Sequence, residues 1–231
     1  WNTNNTSTMS AISGSELIYF PVAGRGESIR LAFKVGGIEF TDTRVAFPQW
    51  KEMKPTTPWG AMPMLKLSDG TMIAQQRAIL RMVSKHTGLY PTDPLAAAKV
   101  DELMDAVEDL QVKVNAAGQG LEQAEKEAKR KEACESGVVF DLLTKLDAYI
   151  AKNGSGGYAV GDKLTCADLM IFTTSCGIIS GMFDGVPETT FDPFKNVQAL
   201  RKAVANHPKV VEYHDSQKET INASFIKARD L

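Results

Sequence analysis

Two prolines within four residues divide this chain. In Leu89-Tyr-Pro-Thr-Asp-Pro94, Pro91 and Pro94 lack a backbone donor and cannot continue a helix. Before them, short apolar runs alternate with glycine turns. After them, long patterns of helical period run without strand signals. The sequence therefore predicts a small α/β domain over residues 16–88, a linker over 89–94 and an all-helical domain over 95–231. A chain of 231 residues has enough length for two such cores. Residues 1–15 are read as a disordered leader with Met9 as the natural start. Trp1–Thr8 shows no basic-then-apolar signal pattern. Asn4 and Asn5 each open an Asn-x-Ser/Thr triplet, but nothing else points to secretion.

The periods place the elements. Leu17–Val22 reads as a strand. Glu27–Val35 reads as a helix with Ile29, Leu31, Ala32 and Val35 as its apolar set, stopped by Gly36-Gly37. Glu39–Phe47 alternates like a strand. Met64–Leu67 and Thr71–Ala74 flank Ser68-Asp69-Gly70, a hairpin signal, and Arg77–Lys85 is helical again, ending near Gly88. The order β-α-β-β-β-α predicts a mixed sheet with helices against it. In the second domain, helices are expected over 95–118, 121–151, 193–206 and 208–221. Another starts at Leu164-Thr-Cys-Ala-Asp-Leu169, with Thr165 as N-cap, Asp168 three residues into the helix, and Leu164 against Leu169 as a staple.

Charge and composition narrow the function. A net charge of −2 leaves no basic excess for nucleic acid or an anionic membrane, and no run reaches the length of a membrane span. Three unpaired cysteines (Cys134, Cys166, Cys176) point to a reducing compartment. His86, His207 and His214 are far apart, so no metal site and no tightly bound cofactor is expected.

Three clusters carry candidate chemistry. Gly24-Arg25-Gly26 follows the first strand, but Ile29 stands where a dinucleotide fingerprint needs its third glycine, and no Walker lysine follows. On its own it reads as a tight strand-to-helix turn. Trp59-Gly-Ala-Met-Pro63 puts a proline at a strand start, a place for a turn, an edge or a cis bond; a cis bond would turn the Met62 backbone groups outward, toward an extended ligand. Gln75 and Gln76 sit where a strand gives way to a helix, whose N-terminal amides favour a carboxylate.

Together, Tyr-Phe-x₃-Gly-Arg-Gly-Glu-x-Ile-Arg, Trp50-x₃-Lys54, Met62-Pro63, the Asp-Gly hairpin, Gln-Gln-Arg-Ala-Ile and the proline linker resemble the cytosolic glutathione S-transferases. The resemblance runs from Glu16 to about Tyr213, and it is closest to the tyrosine-type classes, the sigma class among them. It implies a thioredoxin-like first domain that binds glutathione, a helical second domain that helps form an acceptor pocket, a homodimer, and a cytoplasmic setting.

By position, Tyr19 matches the tyrosine whose hydroxyl donates to the glutathione sulfur, and Arg25 the arginine of the following turn. Trp50 and Lys54 match residues that reach the glycine end. Met62, before cis-Pro63, pairs with the cysteinyl unit. Gln75 holds the γ-glutamyl group, and Gln76 stands where Ser or Thr usually meets its carboxylate. Asp109 matches an acid that reaches the γ-glutamyl amine of the neighbouring subunit. Trp59 stands where some classes carry an aromatic key for the partner. Ala61 replaces a commonly polar residue, and Ala23 a second arginine.

The resemblance thus implies conjugation of the glutathione thiolate to small hydrophobic electrophiles. The same residues are open to two other readings, a prostaglandin-synthase-type isomerase and a weakly catalytic structural member. From strand texture alone Tyr19 is a packed aromatic. Ser28, the other nearby hydroxyl, lies inside a predicted helix. An apolar acceptor pocket has Phe20, Val22, Met104 and Met182 as candidates, each equally suited to core packing.

Overall fold

A computed structural model describes residues 12–217 and 221–231. Met9, Asn4, Asn5 and most of the expected leader lie outside the described residues, as does the end of the helix expected over 208–221. The chain forms two compact units, divided between Pro91 and Thr92, inside the expected linker.

In the first unit, β1 (Glu16–Tyr19) buries three of its four residues and lies at the centre of a four-stranded sheet ordered β2-β1-β3-β4. It runs parallel to β2 (Thr41–Arg44) and antiparallel to β3 (Met64–Lys66), which pairs antiparallel with β4 (Met72–Ala74). A parallel neighbour needs a crossover, supplied by α1 (Gly24–Gly36). Gly37 ends α1 in the left-handed region at φ 65°, as the Gly36-Gly37 stop predicts. At the hairpin, Asp69 Oδ1 accepts from the Thr71 amide at 2.8 Å, and Gly70 takes φ 89°. The closing helix α3 (Gln76–Thr87) packs on α1 so closely that a Cβ on Gly36 would stand 2.0 Å from the Thr87 methyl.

Two expectations need correction here. The leader was expected to reach residue 15, yet Ile12 and Ser15 are fully buried and Ser15 Oγ donates to the Ile12 carbonyl at 2.7 Å, so these residues belong to the folded unit. The strand expected over Glu39–Phe47 is only Thr41–Arg44. Phe47–Met53 instead forms a short helix, α2, which buries none of its residues and so carries no apolar stripe to read.

The second unit, like the family expectation, is helical throughout its named elements: α4 (Pro94–Ala116), α5 (Gln123–Glu135), α6 (Val138–Asn153), α7 (Cys166–Ile178), α8 (Lys195–Ala205), α9 (Pro208–Ser216) and α10 (Ala223–Lys227). The single helix expected over 121–151 is two, because the chain turns extended at Gly137, whose added Cβ would lie 2.9 Å from Ala133 Cα. Helix α7 buries every residue except Gly177, and a helix apolar all round belongs at the centre of a core.

The start of α7 is closed by Asp168. Its Oδ2 accepts from the Thr165 amide at 2.7 Å and the Thr165 hydroxyl at 2.8 Å, and its Oδ1 from the Ala159 amide at 2.7 Å. Burial pushes this carboxyl up to about 6, against the Ala159 and Thr165 donors that favour its charged form. The folded chain therefore holds the proton more tightly than the unfolded chain. This group's contribution to stability is full below about pH 4 and fades as pH rises through about 6. Urea unfolding should show the stability of the wild type falling relative to Asp168→Asn between those pH values. A constant difference would contradict the raised carboxyl.

Candidate active site

In the first unit, the end of β1 brings Tyr19 against the start of α1. Tyr19, its last residue, is buried, and the phenol oxygen accepts a hydrogen bond from the Arg25 amide at 3.0 Å. That amide is in the first turn of α1, where amides lack helical partners. The two glycines flanking Arg25 make room for the ring. A Cβ on Gly24 would stand 2.7 Å from the Tyr19 hydroxyl, and one on Gly26 2.6 Å from the ring carbon Cδ1; Gly24 also takes φ 40°. The Gly-Arg-Gly turn therefore seats a tyrosine.

Burial raises the Tyr19 phenol above its ordinary value, opposed by the Arg25 amide and by the Arg25 and Arg30 charges. Tyr19 is thus a neutral donor at physiological pH. With one lone pair taken by the Arg25 amide, its proton is left for an acceptor beyond it. The arrangement can stabilise an anion such as a thiolate.

Arg30 holds the segment that carries Tyr19, a role the sequence reading missed. It is fully buried in the middle of α1. Its guanidinium donates to the carbonyls of Phe20 (3.3 Å), Val22 (2.9 Å) and Ala23 (3.4 Å), and pairs with Glu27 at 3.2 Å and Asp42 at 3.0 Å. Asp42 is shared with Arg44 at 2.9 Å. The carbon of the guanidinium lies 5.7 Å from the Tyr19 ring centre. One side chain thus ties the β1–α1 loop to the sheet and to α1. The signal for it was an arginine placed among the apolar positions of a predicted helix.

The remaining expected residues fall as follows. Phe20 stacks on Phe47 (centroids 4.7 Å) and meets Trp50 edge-on at 6.0 Å. Trp50 and Met62 pack on a small core of Ile18, Val45 and Met64, and Val22 is half-buried in the loop held by Arg30. The Met62–Pro63 bond is cis, with Pro63 buried. Lys54 is exposed beyond α2. Gln75 is exposed and takes φ 76°, a strained value for a residue with a side chain. Such strain costs of order 1–3 kcal/mol and collects at ligand sites.

Gln76 departs from its expectation. Its side chain is turned inward, Nε2 donating to Ser28 Oγ at 3.0 Å, and Oε1 is buried without a partner. The long amide reaches α1, where a serine or threonine would stop short, so Gln76 offers a ligand only its backbone amide at the start of α3.

In the second unit, Asp109 is exposed on α4. Met104 is fully buried and Met182 is 61% exposed. Met104 is a core residue on the apolar face of α4.

Among known proteins, the family model described as "Glutathione S-transferase, C-terminal domain" matches residues 108–217. The chain is 35% identical over 159 residues to a protein of Ascaris suum named "Glutathione S-transferase 1", covering 68% of this chain and 76% of that one. It is 26% identical to "S-crystallin 4" of Enteroctopus dofleini, covering 88% and 97%. Its fold matches the solved structure of prostaglandin synthase D of Nilaparvata lugens with a TM-score of 0.77, at 26% identity, over 88% of this chain and 98% of that one.

Proposed function

The chain belongs to the glutathione S-transferase family, and from that premise we propose that it conjugates the glutathione thiolate to small hydrophobic electrophiles, with Tyr19 as the thiolate's donor. The observation that carries this reading is the buried, neutral Tyr19 hydroxyl at the N-terminus of α1, already holding the Arg25 amide. A free thiol has a pKa near 8.5, so only a few per cent is thiolate at neutral pH. One hydrogen bond to the charged sulfur is worth about 1.5–3 kcal/mol, enough to bring that pKa to about 6.5–7.

Trp50 and Lys54 serve the glycine end of glutathione, the Met62 backbone before Pro63 the cysteinyl unit, and Gln75 with the α3 amides the γ-glutamyl carboxylate. Phe20 and Val22 face the electrophile. We assign the chain to the sigma class, and to detoxification in the cytoplasm, in keeping with its three buried cysteines, which form no disulfide. The test is an ultraviolet titration with glutathione near pH 6.5. A saturable thiolate band supports the reading; its absence, with no heat of binding, would leave the structural-protein reading that the S-crystallin likeness favours. A prostaglandin-synthase-type isomerase would use the same thiolate and differ in the acceptor it turns over.

The inward side chain of Gln76 separates its two possible contributions. Gln76→Ala should cost about 1–2 kcal/mol of stability by leaving Ser28 unpaired, yet leave the calorimetric affinity for glutathione nearly unchanged. A large loss of affinity at full stability would restore the side chain to the ligand site.

The functional unit is proposed to be a homodimer, with Asp109 reaching the partner's γ-glutamyl amine. Trp59, 71% exposed four residues before Pro63, is the proposed contact, since a bare indole is an unusual solvent-facing group and a frequent interface anchor. Sedimentation of Trp59→Ala should show dissociation at concentrations where the wild type stays paired; an unchanged dimer dismisses the role.

A further inference from the structure

The second unit contains a cavity of about 230 Å³, several times the share of one water molecule, lined by Ile179, Ser180, Asp192, Arg201, Asn222 and Ala228 among others. Arg201, on α8, is only 3% exposed. Its Nη1 donates to Gln198 Oε1, its Nη2 approaches Cys176 Sγ at 4.0 Å, and its guanidinium lies 5.2 Å from the Phe191 ring centre. Its Nε is buried and has no hydrogen-bond partner. No carboxylate of the described residues forms an ion pair with it. A buried guanidinium whose direct hydrogen-bond partners are all neutral is costly; such charges are normally met by an opposite one.

The other polar groups of the lining are already engaged. Asn222 Nδ2 donates to the Ser180 carbonyl at 2.8 Å, and Asn222 Oδ1 accepts from the Ser224 amide at 2.9 Å. The Ser224 hydroxyl donates to the Cys176 carbonyl at 2.8 Å. At the exposed mouth, Lys227 pairs with Glu188 at 3.3 Å. What the lining leaves unmet is one donor, the Arg201 Nε–H.

We propose that this cavity is a binding site for a small organic monocarboxylate, held by Arg201 and distinct from the glutathione site. The carboxylate accepts from Arg201, and its short hydrocarbon part lies along Ile179, Ala223, Ala228 and Leu231. The carboxylates of Glu188 and Asp192 at the lining disfavour a second negative charge, which selects a monoanion over phosphate. The site does not depend on the catalytic reading, because none of these residues belongs to it.

The test follows the Arg201 Nε–H resonance in protein labelled with ¹⁵N-arginine, assigned by its disappearance in Arg201→Met, while butyrate is titrated in. Butyramide and inorganic phosphate are run beside it. The expected result is a saturable shift of that resonance with butyrate, little response to the neutral amide, and weaker binding of phosphate. Thermal unfolding should rise with butyrate in the wild type. In Arg201→Met, butyrate should bind roughly tenfold more weakly or worse, the equilibrium value of one charge-assisted hydrogen bond. An Arg201 resonance unmoved at high butyrate overturns the proposal without reliance on any variant. An equal response to butyramide removes the anion from it, and tighter binding of phosphate overturns the monocarboxylate assignment.

Discussion

Replacing Tyr19 with Phe should lower the rate of glutathione conjugation about ten- to a hundredfold, the kinetic value of one hydrogen bond to a developing or resident anion. The ring itself is retained against Gly24 and Gly26, where a Cβ would come within 2.7 Å of Tyr19, so the fold around it should persist. The Arg25 amide loses its acceptor but sits in the open first turn of a helix, where water replaces it. The loss is therefore in chemistry more than in stability. The pH profile separates the possible roles. Burial raises the Tyr19 phenol, so the phenol does not titrate near neutrality and the acid limb of the profile belongs to the bound thiol. Without the donor, that limb should move up by about one to two pH units. Were Tyr19 a general base, the limb would vanish instead of shifting. Steady-state kinetics across pH, with thiolate absorbance read in parallel, decide the matter; unchanged kcat/KM and an unshifted limb would end the assignment.

The second large effect is expected at Arg30. Arg30→Met keeps much of the side chain's volume but takes the Arg30 ion pair from Glu27, which is 1% exposed, and frees the carbonyls of Phe20 and Val22 from the guanidinium. Breaking a buried pair by removing one partner costs about 3–5 kcal/mol, or a fall on the order of 10 °C in Tm for a chain of this size. Adding Glu27→Gln should return part of that stability by removing a buried charge that has lost its Arg30 pair. It should not return activity, because the loop between β1 and α1 has still lost its anchor. Urea unfolding of the single and double variants, with conjugation measured in the cold, tests both halves. A single variant within about 1 kcal/mol of the wild type would show that the network carries little. Recovery of full activity in the double variant would show that loop anchoring is not its role.

Local rules account for most of what could be read in advance. Gly36-Gly37, Ser68-Asp69-Gly70 and Thr165-x-x-Asp168 act within one turn of chain, and each appears in the structure as a stop, a hairpin or a cap. The break at Gly137 was also local, but the charged run before it and the apolar run after it share a helical period that hid the joint. The short helix at Phe47–Met53 buries nothing, so it left no periodic trace.

The site divides along the same line. Tyr19, Arg25 and cis-Pro63 stand out because strand end, turn and proline follow one another in order along the chain. The direction of a long side chain does not follow from that order. Gln76 turns inward because Ser28, forty-eight positions earlier, offers a partner there. Met104 disappears into a core that forms only when α4 meets α7. Arg30 is silent as a letter in a helix; it becomes the anchor of the Tyr19 loop once α1 crosses back over the sheet and brings Asp42 and three carbonyls around it. Backbone hydrogen-bond needs act over a few residues and are written in the local order of amino acids, which is why most of the elements and the proline break between the two units could be read from the chain alone. Burial and the pairing of buried charge depend on neighbours distant in sequence, and only the folded protein supplies them.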